Sequence, residues 1–165
     1  MLNPASVPDV ADVEVLARFA IGKRVLRENG TLKENQLLPP PCGKLSVMRH
    51  LDATEQEIWD EGREVARLRA KNLVGRLDFT AGYCRTVGLH VIKDPLVAEP
   101  PSKPEPRRRL ANPNHADLVF PSVGEPGLQA TMSKPDRLAI AKALSAIGGT
   151  VIKVPADADE SATPP

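Results

Sequence analysis

Three histidines, at positions 50, 90 and 115, carry the side chains best suited to acid–base chemistry near neutral pH. His115 follows Asn112-Pro113-Asn114, where an asparagine before proline favours a turn, and the chain then enters an apolar run. We therefore predict that His115 lies where a loop meets a strand. Two interpretations remain open: the imidazole either hydrogen-bonds the loop backbone and sets its direction, or it is catalytic or binds a ligand.

Asp94 ends another predicted strand, immediately before Pro95. If that strand is a neighbour of the one that His115 enters, the Asp94 carboxylate lies near the imidazole and selects its tautomer. Both interpretations of His115 make use of such a contact. The catalytic candidates are therefore His115, His50 and Asp94.

Arg49 and His50 stand together at the end of a predicted strand. Such a pair can act as an anion clamp beside an acid–base group. The structural alternative is that Arg49 pairs with a carboxylate of the following helix and His50 is an exposed junction residue. The run of arginines at 107–109 is able to contact a phosphate or simply to be solvated. The ligand-binding candidates are Arg49, Asn112, Arg107, Arg108 and Arg109.

Neither a metal site nor a bound cofactor is predicted. A zinc site usually contains one closely spaced pair of ligands, and no two His or Cys residues here are two to four positions apart. The two cysteines, Cys42 and Cys84, are isolated, which favours free thiols, with Cys84 packed inside a helix. The chain has no phosphate-binding loop, no dinucleotide fingerprint and no nucleophile elbow.

Charge nearly cancels, with 22 basic against 21 acidic residues. A net charge of +1 argues against a dedicated nucleic-acid binder, which normally carries a basic excess. No apolar run reaches the length of a membrane span, and the first dozen residues do not resemble a secretory signal. With two cysteines in 165 residues, we expect a cytoplasmic protein that does not contact membranes.

The strongest helical pattern follows Asp52, which forms a capping pattern with Glu55. Apolar residues then recur at helical spacing from Ile58 as far as Leu73. A shorter helix is predicted from Asp78, ending at Gly88 as a left-handed residue. A third is predicted after Ser133, burying Ile140, Ala143, Leu144 and Ile147.

Strands alternate with these helices. Residues 13–21 fit either a strand or a helix, and the β-branched residues favour the strand. Further strands are predicted near 45–49, 89–93 and 116–121, with the rest of 13–33 and residues 150–154 as weaker candidates. These elements predict an α+β fold, in which a small mixed or antiparallel sheet is covered by two or three helices.

The 17 prolines divide the chain into regions. Residues 1–12 are predicted to be a disordered lead-in, 13–154 a single α+β domain, and 155–165 a disordered tail. Within the domain, residues 95–114 contain six prolines and no periodicity, which predicts a mobile excursion.

Several short motifs occur in an order that resembles a family of small bacterial proteins of unassigned function. They are Leu45-Ser46-Val47, Ala81 with Arg85, Gly88-Leu89-x-Val91-x-x-Asp94-Pro95 and Asn112-Pro113-x-His115-Ala116. The resemblance covers roughly residues 13–147 and implies one compact domain in which His115 matters. It implies no reaction. This chain differs from the family pattern by extra residues between Pro95 and Asn112, which places the arginine run outside the shared core.

Three functional hypotheses follow from the sequence. The first is an interaction or regulatory module that acts through a protein partner, because charge is balanced and proline-rich segments are available for docking. The second is an enzyme acting on a nucleotide or another phosphorylated small molecule, with Arg49 binding the anion, His50 or His115 moving protons and Asp94 orienting His115. The third is weak nucleic-acid binding through Arg107–Arg109. The oligomeric state is left open.

Overall fold

A computed structural model describes residues 1–104, 108–123 and 130–155. Within them, the protein is an α+β fold built on a six-stranded antiparallel sheet, with a separate two-stranded ribbon. The strands are β1 (Val15–Ile21), β2 (Lys44–Arg49), β3 (Leu73–Thr80), β4 (His90–Lys93), β5 (His115–Val119), β6 (Ser122–Val123), β7 (Ala130–Thr131) and β8 (Ile152–Lys153). The order in the main sheet is β4-β5-β2-β1-β3-β8, and the ribbon pairs β6 with β7.

Three helices belong to the described part of the chain: α1 (Glu55–Leu68), α2 (Ala81–Thr86) and α3 (Lys134–Gly148). One face of the sheet carries the main apolar core, which includes Leu16, Val47, Leu77 and Leu118 together with Leu144 of α3. Since successive strand residues point to opposite faces, their neighbours point the other way, toward α1. There Ala17 and Met48 pack against Ile58 in a second, smaller cluster.

The strand assignments of the sequence are largely confirmed. Residues 15–21 form β1, and β2 points Leu45 and Val47 into the main core and Met48 toward α1, as the alternation predicted. The last strand, β8, lies at the edge of the sheet beside β3. Gly88 adopts a φ of 93° directly after α2, the left-handed conformation expected of it.

Two boundaries differ from the sequence prediction. The N-cap of α1 is Thr54, whose hydroxyl accepts from Glu57 N while the Glu57 carboxylate accepts from Thr54 N. This hydroxyl–carboxylate box outcompetes the one predicted at Asp52, which instead occupies a turn with a φ of 52°. Helix α1 also ends at Leu68, so Leu73 starts β3 rather than extending the helix.

Strand β3 was missed because Asp78 resembles a helix start. The strand runs through to Thr80, and it is Thr80 that caps α2 by accepting from Tyr83 N. Leu77 and Phe79 enter the main core, whereas Arg76 and Asp78 face α1. The alternation of apolar and charged residues is typical of a half-buried strand. The predicted periodicity of Phe79 and Tyr83 therefore spans two elements.

Helix α3 begins as predicted, with Ser133 Oγ accepting from Asp136 N. Its buried face is rotated from the predicted one: Ala141, Leu144 and Ser145 are buried, whereas Ile147 is 53% exposed. Close approach explains the rotation, since a Cβ on Gly148 would come within 2.4 Å of Leu77 side-chain atoms. The helix therefore presents the small residues Ala141, Ser145 and Gly148 to the sheet, beside Leu144, which is fully buried as predicted.

The lead-in, residues 1–12, was predicted to be disordered from its composition, yet it contacts the rest of the domain. Leu2 and Val10 are buried, and Leu2 N donates to Asn114 Oδ1 at 2.8 Å. The guanidinium of Arg49, which is fully buried, donates to Pro8 O at 2.8 Å. These contacts are long-range in sequence, so local composition did not reveal them. The predicted tail lies, beyond residue 155, outside the described residues.

The segment 95–114 is anchored at both of its ends. Leu96 and Asn112 exchange backbone hydrogen bonds, and Glu99 and Arg109 form a second link further out. Residues 105–107 at its tip lie outside the description. The two ends of the excursion are therefore held together by hydrogen bonds where it leaves and rejoins the domain, and we call these paired ends, residues 96–99 and 109–112, its neck.

No helix in the described part of the chain is both long and apolar enough to cross a membrane.

Arg49 generates a stability prediction. Its Nε and Nη2 donate to the two carboxylate oxygens of buried Glu14 at 2.8 and 2.9 Å. The substitution Arg49→Met leaves that carboxylate buried without its partner, which costs about 3–5 kcal/mol. We expect urea denaturation to show this loss, or the variant to fail to fold. The exposed pair Lys103–Glu99 provides the control, because Lys103→Met should cost no more than about 1 kcal/mol. An Arg49→Met protein as stable as the Lys103→Met control contradicts the prediction.

Candidate functional site

The face of the sheet that carries α1 is polar where it extends beyond the helix. His115 and Asp117 share one face of β5, and in the register Ser46 of β2 pairs with Asp117. Asp94 follows the last residue of β4, and its backbone N donates to His115 O. Strand pairing therefore gathers these side chains into one area at the β4–β5–β2 end of the sheet.

A cleft of about 420 Å³ separates this polar area from α1. We call it the α1–β5 cleft; its walls include Glu61, Val65 and Arg69 of α1 and Ser46, Asp94, His115 and Asp117 of the sheet side, with Lys44 and Arg109 also lining it. A smaller cavity of about 30 Å³ lies beneath α1 and is lined in part by Arg18. Five residues line both spaces, so the two are adjacent: Ser46, Glu61, Val65, Arg69 and His115.

The orientation of His115 is set by backbone. Its Nδ1 lies 2.7 Å from the carbonyl oxygen of Asp94. A carbonyl oxygen only accepts hydrogen bonds, so Nδ1 carries the proton and the neutral ring has its lone pair on Nε2. The predicted proximity of Asp94 and His115 is thus present, but the main chain of Asp94 supplies the orienting contact. Its carboxylate is farther away, with Oδ2 3.7 Å from Nδ1.

His115 Nε2 points toward a second carboxylate. Asp117 Oδ1 is 3.8 Å away, too far for a hydrogen bond. Asp117 is buried, and its other oxygen, Oδ2, pairs with Lys44 Nζ at 3.3 Å. The cleft therefore holds a basic nitrogen and a carboxylate oxygen that face each other without touching. Such a nitrogen is able to accept a proton or to bind a metal ion.

Two guanidinium groups, those of Arg69 and Arg109, line the cleft. Within the described residues, neither side chain makes a hydrogen bond or an ion pair, although the charge of Arg109 acts to lower the pKa values of Glu61 and Glu99. The Nε atom of Arg109 is buried and also lacks an acceptor. Since a guanidinium has five donors, the cleft offers donors that suit a bound anion.

Glu61 lines the same cleft as Arg69 and Arg109. Burial raises the pKa of its carboxyl above the ordinary glutamate value, although a hydrogen bond from Asn112 acts in the opposite direction. Asn112 is itself buried, and its Oδ1 accepts from Asn114 N. Asn112, predicted as a ligand-binding residue, thus hydrogen-bonds Glu61 through its side chain and pairs with Leu96 through its backbone.

Sequence reasoning did not single out Arg18, which lies under α1 at the inner end of the smaller cavity. Its guanidinium donates to Ser46 O at 2.8 Å and to Gln36 O at 3.2 Å. Burial lowers the pKa of Arg18 to about 10, with Arg69 contributing in the same direction. The signal was present, since Arg18 is the one charged residue inside an otherwise apolar strand.

The other predicted site residues lie elsewhere. Arg49 belongs to the face opposite the cleft, where it pairs with Glu14. His50 lies beside Asp78, with 3.5 Å between Nε2 and Oδ1, in a cluster where Arg76 bonds Glu55 and stacks 4.7 Å from the Trp59 ring centroid. Arg49 and His50 therefore do not form an anion clamp with each other.

Arg108 and Arg109, from the predicted arginine run, have different surroundings. Arg109 lines the cleft, Arg108 accepts a hydrogen bond from Arg67 through its carbonyl, and Arg107 lies outside the described residues. Of the cysteines, Cys84 is buried, which raises the pKa of its thiol to about 12, whereas exposed Cys42 borders the cleft.

Asn114 was also missed. Its side-chain nitrogen donates to the carbonyls of Arg49 and Leu51, and its side-chain oxygen accepts from Leu2 N. Fully buried, it ties the entry of β5 to the end of β2 and to the lead-in. The signal in the sequence was the pair of asparagines on either side of Pro113.

Comparison with models of protein families, with curated proteins and with solved structures finds no match.

The raised pKa of Glu61 yields a pH-dependent prediction. When a carboxyl has a higher pKa in the folded state than in the unfolded state, stability falls as pH rises through the interval between the two. Glu61→Gln removes this titration. We expect the variant to gain stability relative to wild type between about pH 4 and about pH 7, as measured by urea denaturation at both pH values. Glu28, which is exposed, supplies the control. A difference between wild type and Glu61→Gln that is constant with pH, or that is matched by Glu28→Gln, contradicts the prediction.

Proposed function

We propose that the protein binds a small phosphorylated molecule in the α1–β5 cleft. The observation that carries the proposal is the presence, in the same cleft as His115, of Arg69 and Arg109, neither of which makes a side-chain hydrogen bond or ion pair among the described residues. Arginine donors recognise phosphate oxygens in pairs, and the bonds are charge-assisted. The proposal keeps Arg109 as a ligand-binding residue, as predicted from the sequence, and gives Arg69 the anion-binding role that the sequence assigned to Arg49.

The other wall supports a compact ligand. His115 presents an uncommitted Nε2, and Ser46 adds a hydroxyl beside Asp117. A nucleotide, or another phosphorylated metabolite with hydroxyl or amide groups, offers donors that match these acceptors. The volume of the cleft, about 420 Å³, falls within the range typical of small-molecule sites.

The charges of the cleft disfavour a long polyanion. Asp94, Asp117 and Glu61 alternate with the cations of the same walls, so no continuous basic track is formed there. Nucleic-acid binding through the arginine run stays a weaker prediction, because Arg109 belongs to the cleft and the net charge is only +1.

The test is calorimetric titration of the wild-type protein with inorganic phosphate and with a nucleoside monophosphate. We expect saturable binding. Arg69→Gln and Arg109→Gln should each weaken it by about 10- to 100-fold, the effect of losing a charge-assisted hydrogen bond of about 1.5–3 kcal/mol. Arg24, an exposed arginine outside the cleft, provides a matched control, because Arg24→Gln changes net charge by the same amount.

Either of two results counts against the proposal. One is the absence of heat from both ligands at millimolar concentration with a folded wild-type protein. The other is an equal loss of affinity in Arg24→Gln and in the two cleft variants, which indicates attraction by net charge alone.

A protein partner is a second proposed function, supported by the outer edge of β4. The Asp94–His115 backbone bond means that Val91 and Lys93 turn their backbone groups away from β5. Val91 O accepts only a long bond, 3.5 Å, from Arg85. Nearby, Ile92 and Val97 are 50% and 76% exposed. An edge of this kind is suited to pairing with an extended segment of another chain.

A photo-crosslinking amino acid at position 92 tests the partner proposal. In an extract of the native host, we expect it to label one protein that the same group at position 147 does not label. Ile147 is the appropriate control, because it is 53% exposed and lies on α3, away from β4. Identical labelling from both positions, or no labelling from either, argues against docking at this edge.

A further inference from the structure

We propose that His115, Asp117 and Asp94 form a binding site for one divalent metal ion, with Mn²⁺ or Zn²⁺ as the chemical class. One ligand atom from each of the three residues lies within 4.8 Å of the other two. The set contains one imidazole nitrogen and two carboxylates, and such mixed donors suit ions of this class. The inference goes beyond anion binding, since it concerns a cation.

The central observation is a pair of acceptors that face each other. His115 Nδ1 is protonated because its neighbour is a carbonyl oxygen at 2.7 Å, so in the neutral ring Nε2 has a lone pair. That lone pair faces Asp117 Oδ1 across 3.8 Å, and Asp117 is buried. Two acceptors in such an arrangement repel each other unless a positive charge lies between them. A metal ion about 2.0–2.2 Å from a nitrogen and from an oxygen fits between atoms so separated.

The remaining contacts keep these atoms available. Lys44 Nζ pairs with Asp117 Oδ2 and leaves Oδ1 toward His115. The backbone oxygen of Asp94 holds the His115 ring, the arrangement by which an outer contact orients a ligating histidine. Because the backbone does this, the Asp94 carboxylate is left to act as a ligand, and it is about half exposed to the cleft.

The sequence rule for metals considered only closely spaced His and Cys residues. In this structure the close pair is His115-x-Asp117, two residues on one face of a strand, and the third ligand comes from the neighbouring strand. Strand pairing thus assembles a donor set that spacing along the chain did not predict.

The proposal does not depend on the anion proposal, because the ion binds through carboxylates and an imidazole and not through Arg69 or Arg109. The two are tested separately: the metal titration contains no phosphate, and the phosphate titration is carried out in a chelating buffer. The metal proposal can therefore fail while the phosphate proposal is supported, and the reverse.

The experiment titrates Mn²⁺ into chelator-treated full-length protein and follows free Mn²⁺ by electron paramagnetic resonance. We expect one saturable site per chain. Asp94→Asn should weaken binding by at least about tenfold, since loss of even an outer contact to a metal costs about 10- to 100-fold. The substitution keeps the backbone oxygen that holds His115, so its effect reports the carboxylate as a ligand. His115→Gln should abolish saturable binding.

Two controls make the result decisive. His90→Gln removes a histidine from the exposed part of β4 outside the cluster and should bind Mn²⁺ like wild type. Cys42→Ser should also bind normally, which separates the site from the thiol at the edge of the cleft. The proposal is overturned if folded wild type takes up no Mn²⁺ saturably, if Asp94→Asn binds as tightly as wild type, or if His90→Gln weakens binding as much as Asp94→Asn. Should His115→Gln fail to fold, the Asp94→Asn comparison alone decides.

Discussion

The architecture depends on the fully buried guanidinium of Arg49. A buried charge is tolerated only when its donors are satisfied, and here they are shared between the Glu14 carboxylate and the carbonyls of Pro8 and Asp9. The Arg49 backbone adds a reciprocal link to Asn114, which leads into β5. One residue thus connects the lead-in, the start of β1, the end of β2 and the entry to β5, and the lead-in belongs to the fold because its carbonyls accept from the Arg49 side chain.

The same network places the cleft. By fixing where β5 starts, Asn114 fixes which residues of β5 face the main core and which face α1. Ala116 and Leu118 enter the core, so His115 and Asp117 have to emerge on the other face. A shift of one residue would reverse the two sets, burying a histidine and an aspartate in the apolar layer. The register that packs the core is therefore also the register that forms the polar wall of the cleft.

Local patterns were sufficient for much of the fold. The alternation in Lys44–Arg49, the cap at Ser133 and the glycine after α2 each depend on a few neighbouring residues, and each is confirmed. Local patterns failed at β3, where the periodicity of Phe79 and Tyr83 continues from a strand into a helix. For the candidate site, the pairing of Asp94 with His115 followed from the two strand ends. Arg109 was among the predicted ligand-binding residues, but that it lies near His115 did not follow, because hydrogen bonds between the two ends of the excursion place it there. Arg69 was not predicted, because it reaches the cleft through the packing of α1.

The two ligands proposed for the cleft should favour each other. Asp94 and Asp117 supply negative charge near His115, whereas Arg69 and Arg109 supply positive charge in the same space. A divalent cation on the carboxylates cancels the repulsion that they exert on a phosphate, and a phosphate on the arginines lowers the electrostatic cost of adding a cation. Linkage requires the two effects to be equal: the factor by which the metal tightens phosphate binding is the factor by which phosphate tightens metal binding. With both ligands bound, a phosphorylated molecule would lie between the metal ion on the carboxylates and the two guanidinium groups, and both would polarise its phosphoryl oxygens.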